Sequence, residues 1–126
     1  MVLVDTSIWV EALRTAGSPS IRTELATLIE RGDAAWCAAI RLELWAGIRN
    51  QREREVLRQF GSVLVDLSIT AEVWEYAIAL AEKGQGKGRT FPYPDLIIFA
   101  CSRCHEAELL HRDNHFDALA RIAQSV

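Results

Sequence analysis

The chain has 126 residues, half of them hydrophobic and a quarter charged, which fits one compact domain over 1–126 with a real core and leaves no room for a second. No apolar run approaches the roughly 18 residues of a membrane span, no export signal opens the chain, and Cys37, Cys101 and Cys104 are too few for a disulfide framework, so a cytoplasmic protein is expected. A net charge of −3 excludes a protein that holds nucleic acid by bulk electrostatics alone, but not an enzyme that meets it through bound metal.

Val2-Leu3-Val4 reads as a buried strand that stops at Asp5, with Thr6-Ser7 opening a helix. The strand thereby hands a carboxylate to its own carboxyl end, the edge where open α/β sheets bind ligands. Ile8, Trp9, Ala12 and Leu13 recur at helical spacing, and Gly17 is expected to end that segment. Ser18-Pro19 starts a second helix, with Ile21, Leu25, Leu28 and Ile29 as its stripe and Gly32 as its stop. Arg31-Gly32-Asp33 has the letters of an adhesion tripeptide, but without an export signal it reads as a helix end and turn.

The apolar run 34–38 suits a second strand, followed by a helix with Ile40, Leu44, Gly47 and Ile48 on one face. Glu43 falls on that same stripe, and an acid there needs a reason. Arg49, Arg52, Arg54 and Arg58 interleave with Glu53 and Glu55, a pattern of solvated, salt-bridged helix surface, with a basic rim for phosphates as the rival reading. Gly61 stops the helix, Val63-Leu64-Val65 forms a third strand and Asp66 follows it. Thr70 caps a long amphipathic helix with Val73, Trp74, Ala77, Ile78 and Ala81 on its buried side.

Gly84-Gln85-Gly86-Lys87-Gly88-Arg89 reads as a mobile linker, with a substrate-touching basic loop as the second reading; it lacks the lysine-serine/threonine ending and leading strand of a P-loop. Leu96 to Cys101 is apolar on every side, as in a core helix, and Leu109-Leu110 is the fourth strand. Phe116, Leu119, Ala120 and Ala123 mark a last amphipathic helix, with Asn114 as its expected cap. Strands alternating with helices on short loops predict an α/β protein, a three-layer α/β/α arrangement around a mainly parallel central sheet.

Taken singly, Asp5, Asp66, Asp95 and Asp113 each stand where a helix begins and suit an N-cap. Glu43 does not, because a carboxylate among apolar neighbours inside a helix costs several kcal/mol unless partnered or protonated. In a doubly wound sheet Asp5 and Asp113 leave the carboxyl ends of strands, and Glu43 and Asp95 sit on helices able to face that edge. Carboxylates about 5 Å apart repel by roughly 3 kcal/mol per pair at an effective dielectric near 20, against a total stability of about 5 to 15 kcal/mol. An all-oxygen pocket of that charge suits Mg²⁺ or Mn²⁺. Hydrolysis by a metal-activated water then requires no protein nucleophile.

Four runs carry a family resemblance: Val2-Leu3-Val4-Asp5-Thr6-Ser7-Ile8-Trp9; Ile40-Arg41-Leu42-Glu43-Leu44 with Gly47; Pro94-Asp95-Leu96-Ile97-Ile98-Phe99-Ala100; and Leu110-His111-Arg112-Asp113-Asn114-His115-Phe116. In this order they resemble PIN-domain nucleases, and most closely the VapC toxins of bacterial toxin–antitoxin pairs. The resemblance spans essentially the whole chain. It implies a catalytic, metal-holding set of Asp5, Glu43, Asp95 and Asp113, with Asp5 and Asp95 as principal ligands of Mg²⁺ or Mn²⁺ and Thr6 as the hydroxyl after the first acid. Asp117 stands outside the core set. It further implies cleavage of RNA, a tRNA or a ribosomal RNA loop, together with homodimers and a VapB-type antitoxin whose arm covers the site. Trp9 and Trp45 either face such a partner or pack the core. Phe99 departs from the alanine common in relatives.

Three other readings compete. Cys101-Ser102-Arg103-Cys104-His105 matches a c-type haem attachment pattern, against which stand the missing export signal and the buried helix. His111 and His115 have the spacing of a helical metal pair, although a surface role suits them better. A phosphoacceptor or phosphatase-like α/β domain would want an Asp-x-Asp pair and a lysine late in the sheet, and a non-catalytic interaction module would not need all four acids.

Overall fold

The computed structural model describes residues 1–14 and 17–126. The elements run β1 Val2–Val4, α1 Thr6–Leu13, α2 Pro19–Glu30, β2 Ala34–Trp36, α3 Ala38–Ala46, α4 Gln51–Gly61, β3 Val65–Asp66, α5 Ala71–Gly86, α6 Tyr93–Cys104, β4 Glu108–Leu110 and α7 Asn114–Ala123. All strand pairs are parallel, in the order β3-β2-β1-β4. The chain steps outward from β1 through β2 to β3, then returns to place β4 on the other side of β1. The strand order therefore reverses between β1 and β4, which opens a crevice beyond their carboxyl ends. Asp5 leaves β1 at that point, and its amide donates to the Leu110 carbonyl at the end of β4 at 2.9 Å.

The sheet is short because its apolar runs are short, and the helices supply most of the core. Leu3, Val4, Ala35 and Trp36 of the strands meet Ile8, Ile40, Ile98, Phe99 and Leu119 of the helices. Trp9 is fully buried, donates from its indole nitrogen to the Val4 carbonyl at 3.0 Å and packs on Trp36 and Phe60. It is a core residue and does not face a partner. Phe99 is buried too, with the Arg103 guanidinium over its ring at 4.8 Å, so the larger side chain is absorbed in the packing.

Several boundaries and roles differ from the sequence reading. α1 ends at Leu13, and the expected extension to Gly17 passes through residues 15 and 16, outside the described set. β2 ends at Trp36, with Cys37 already the residue before α3. β3 lies at Val65–Asp66, and Asp66 caps nothing: its carboxylate takes the Arg41 guanidinium at 2.7 Å. On α5 the buried stripe is Val73, Ala77, Leu80 and Gly84, whereas Trp74 and Ile78 are 48% and 57% exposed and Ala81 is exposed with them. A purely apolar pattern cannot say which side of the stripe meets the core, and these two side chains instead line a surface groove with Tyr93, Leu96 and Ile97.

The segment 84–89 is not a linker. α5 continues through Gly86, Gly88 turns the chain at φ +72°, and the Arg89 amide closes onto the Gly84 carbonyl at 2.8 Å. Local glycine content suggested mobility, but a helix end that uses glycine to reverse direction has the same composition. Two other readings hold. Gly32 has φ +72° and ends α2 in a turn closed by Asp33 to Leu28 at 3.0 Å. The 49–58 face is salt-bridged, with Arg49 on Glu53 at 2.9 Å and Arg58 on Glu55 at 3.3 Å, but it is not solvated throughout, since Glu53 is buried.

Candidate active site

Asp5 is the first acid because β1 ends there and α1 needs a cap. Its Oδ2 accepts from the Ser7 amide at 3.0 Å and the Ser7 hydroxyl at 2.6 Å, and the residue is only 4% exposed. The Ser7 oxygen in turn accepts from the Arg112 amide at 3.1 Å, tying the start of α1 to the chain leaving β4. Asp113 caps α7 in the same way, with Oδ1 accepting from the His115 amide at 2.9 Å. The cap is thus Asp113 and not Asn114, which is the first helical residue.

Glu43 sits inside α3, and its Oε1 accepts from the Thr6 hydroxyl at 2.7 Å. This is the partner that its place on an apolar stripe demanded. Asp95 lies in the first turn of α6 rather than at its cap, since Pro92 holds the cap position and makes no side-chain bond there. Its Oδ2 pairs with His115 Nδ1 at 2.7 Å. Opposite an ionised carboxylate oxygen, which only accepts, that ring nitrogen is the donor. The oxygens of Asp95 and Asp113 and the His115 nitrogen lie within 4.8 Å of one another.

The four acids therefore arrive from four places: the end of β1, the middle of α3, the first turn of α6 and the chain after β4. They also feel one another. Burial pushes Glu43 above the ordinary carboxylate range, the Thr6 bond opposes this, and the charges on Asp5, Asp95 and Asp113 push it up further. Asp95 is raised first by burial, with the His115 bond pulling the other way and Asp113 and Asp5 adding to the rise. Loss of hydration and mutual repulsion both disfavour the ionised forms.

One geometric property decides what this cluster can do. Each carboxylate commits a single oxygen to the protein: Oδ2 of Asp5, Oε1 of Glu43, Oδ2 of Asp95 and Oδ1 of Asp113. Among the described residues, the second oxygen of each accepts no hydrogen bond from the chain. Asp95 and Asp113 stand near enough to share an ion, Asp5 and Glu43 are close enough for their charges to be felt there, and carboxylate oxygens left unclaimed in a partly buried pocket suit a hard divalent cation. The residues present fit Mg²⁺ or Mn²⁺.

His115 was the residue undervalued in the sequence. Its pairing with Asp95 at 2.7 Å rules out a plain surface role, and it does not pair with His111, whose Nδ1 accepts from the Asp113 amide at 3.2 Å. No local signal in the sequence pointed to it, because the bond joins two residues 20 apart that only the fold brings together. Asp117 has its carboxylate 3.8 Å from His111 Nε2. Trp45 remains partly exposed beside Arg54, whose guanidinium lies 6.0 Å from its ring. Cys101 of the haem-like string is fully buried, and its thiol points to the Leu67 carbonyl at 3.8 Å.

Comparison with known proteins gives the family and the fold. The family model for the PIN domain matches residues 2–122. Ribonuclease VapC11 of Mycobacterium tuberculosis is 30% identical over 126 aligned residues, covering 97% of this chain and 93% of that protein. The fold is that of VapBC2 from Rickettsia felis, solved with a promoter DNA fragment, at a TM-score of 0.77 and 22% identity over 90% of this chain and 89% of that one. FitAcB of Neisseria gonorrhoeae superposes with a TM-score of 0.74 at 20% identity, covering 96% and 94%. With a matching model over nearly its whole length and a crevice of four acids at the point where the strand order reverses, the chain belongs to the PIN-domain family, with VapC ribonucleases among its relatives.

Proposed function

We propose that the chain is a metal-dependent endoribonuclease, a hydrolase of RNA phosphodiester bonds and the toxin of a VapBC-type pair. The observation that carries this reading is the convergence of Asp5, Glu43, Asp95 and Asp113, each held by one oxygen and offering the other. The naming of its 30%-identical relative as a ribonuclease supports the substrate class.

Asp5, Asp95, Glu43 and Asp113 would hold Mg²⁺ or Mn²⁺. When bound, such an ion polarises a phosphoryl oxygen and makes water a competent nucleophile near neutral pH. The protein's own contribution is positioning. Ser7 fixes Asp5, Thr6 fixes Glu43, His115 fixes Asp95, and the α7 cap fixes Asp113. Pre-set oxygens avoid reorganisation when the substrate's charge shifts during the reaction. A phosphoacceptor would also use an aspartate, and what separates this chain from one is that its sequence has neither an Asp-x-Asp pair nor a lysine late in the sheet.

A VapB-type antitoxin, a homodimer and a tRNA or ribosomal RNA target complete the reading. The test is cleavage of RNA by the purified chain with Mg²⁺ or Mn²⁺, abolished by EDTA and by Asp5→Asn. Activity that survives both sinks the mechanism. Growth arrest on expression, relieved by a neighbouring small open reading frame, separates a toxin from a housekeeping nuclease.

A further inference from the structure

The turn after α5 and the outer half of α7 carry cations that the acid centre does not use. Lys87, Arg89 and Arg121 line one concavity of about 290 Å³ with Ala118 and Ile122. All three are exposed, and among the described residues none is in an ion pair with an acid. That sets them apart from Arg41, Arg49, Arg58 and Arg112, each of which has a carboxylate within 4.0 Å. In a chain of net charge −3, three unpaired cations gathered in one hollow are a local field in search of an anion.

Two connections tie this hollow to the acids. Arg89 lies 5.2 Å over the Phe91 ring, Phe91 meets the His115 ring edge-on at 6.1 Å, and His115 holds Asp95. α7 also serves both places, since His115 is in its first turn and Arg121 is six residues on, roughly 9 Å along the axis at 1.5 Å per residue. The turn that presents Lys87 and Arg89 is fixed by the bond from Arg89 to Gly84 at 2.8 Å, so the cations need little ordering when a ligand arrives.

An RNA strand entering four carboxylates brings more negative charge than a divalent ion at the scissile phosphate can offset. Neighbouring phosphates need cations of their own, and backbone contacts of this kind position a strand without reading its sequence. We propose that Lys87, Arg89 and Arg121 form a phosphate-binding flank that holds the RNA backbone a short distance from the scissile bond. This rests on the nuclease reading above and adds a subsite to it.

The test is anisotropy of a short fluorescein-labelled single-stranded RNA in EDTA, where cleavage does not intervene, across a KCl series. K87Q, R89Q, R121Q and the control R58Q are compared with the unaltered chain. Each variant of the flank should weaken binding several-fold at low salt and flatten the plot of log Kd against log salt by about 0.7, the loss of one phosphate contact on a single strand. R58Q should do neither. Flank variants that match R58Q, or an unaltered chain that binds no RNA, overturn the proposal; the former leaves these cations to an acidic segment of a protein partner. Cleavage by the unaltered chain with Mg²⁺ is scored separately, so a failed nuclease reading shows there, while the binding series still judges the flank.

Discussion

His115 Nδ1 stands 2.7 Å from Asp95 Oδ2 and joins the first turn of α7 to the first turn of α6. The same residue gives its backbone amide to Asp113 Oδ1 at 2.9 Å, so one histidine sets the angle of two of the four acids. A side chain that orients a metal-holding carboxylate matters more the less misplacement the reaction tolerates.

His115 acts through Asp95. His115→Ala should lower RNA cleavage about 10- to 100-fold, the usual cost of losing a partner that orients a metal ligand. His115→Asn, whose amide nitrogen falls near Nδ1, should recover a substantial part and restore the Mg²⁺ concentration for half-maximal activity. Cleavage measured over a Mg²⁺ series checks both, and equal loss in the two variants would refute a role through this hydrogen bond.

Metal and protons should compete for the same oxygens. Glu43 and Asp95 are raised above their ordinary range in the folded chain, so the folded state takes up protons before the unfolded one as pH falls. Their destabilising effect is complete above the folded values and disappears once pH drops below the ordinary carboxylate range. A divalent ion removes the same repulsion at neutral pH. The expected result is a Tm increment on adding Mg²⁺ or Mn²⁺ that is largest at neutral pH and shrinks steadily on acidification. An increment independent of pH would contradict binding at these acids.

Two glycines of α5 should respond in opposite senses. A Cβ at Gly84 would come within 3.0 Å of the Arg89 carbonyl oxygen and 3.3 Å of the Phe91 ring, whereas one at Gly86 meets nothing within 4 Å. Gly86→Ala should gain up to about 1 kcal/mol from helix propensity. Gly84→Ala should lose about 1–3 kcal/mol, because overpacking against a returning backbone outweighs that gain. Urea denaturation of the two variants checks the difference in sign, and with it the order of the 84–91 turn.

What the sequence settled by itself was the class of fold, and it singled out the four acids as candidates. Short β-branched runs alternating with helical stripes leave few arrangements other than a parallel sheet between helices, and Glu43 on an apolar stripe announced an unusual environment. Asp5 and Asp113 could be placed at one edge because each directly follows a strand or sits close behind one. Periodicity is a local property, however, and it carries no information about which residues meet across the chain. Only the tertiary structure brought His115 onto Asp95, put Thr6 under Glu43, turned Trp74 and Ile78 outward and Trp9 inward, and folded the glycine-rich 84–89 stretch into a rigid turn. The contacts across the chain depend on the order β3-β2-β1-β4, which decides which helices are neighbours and which no window of sequence contains, whereas the 84–89 turn is closed locally by Arg89 on Gly84.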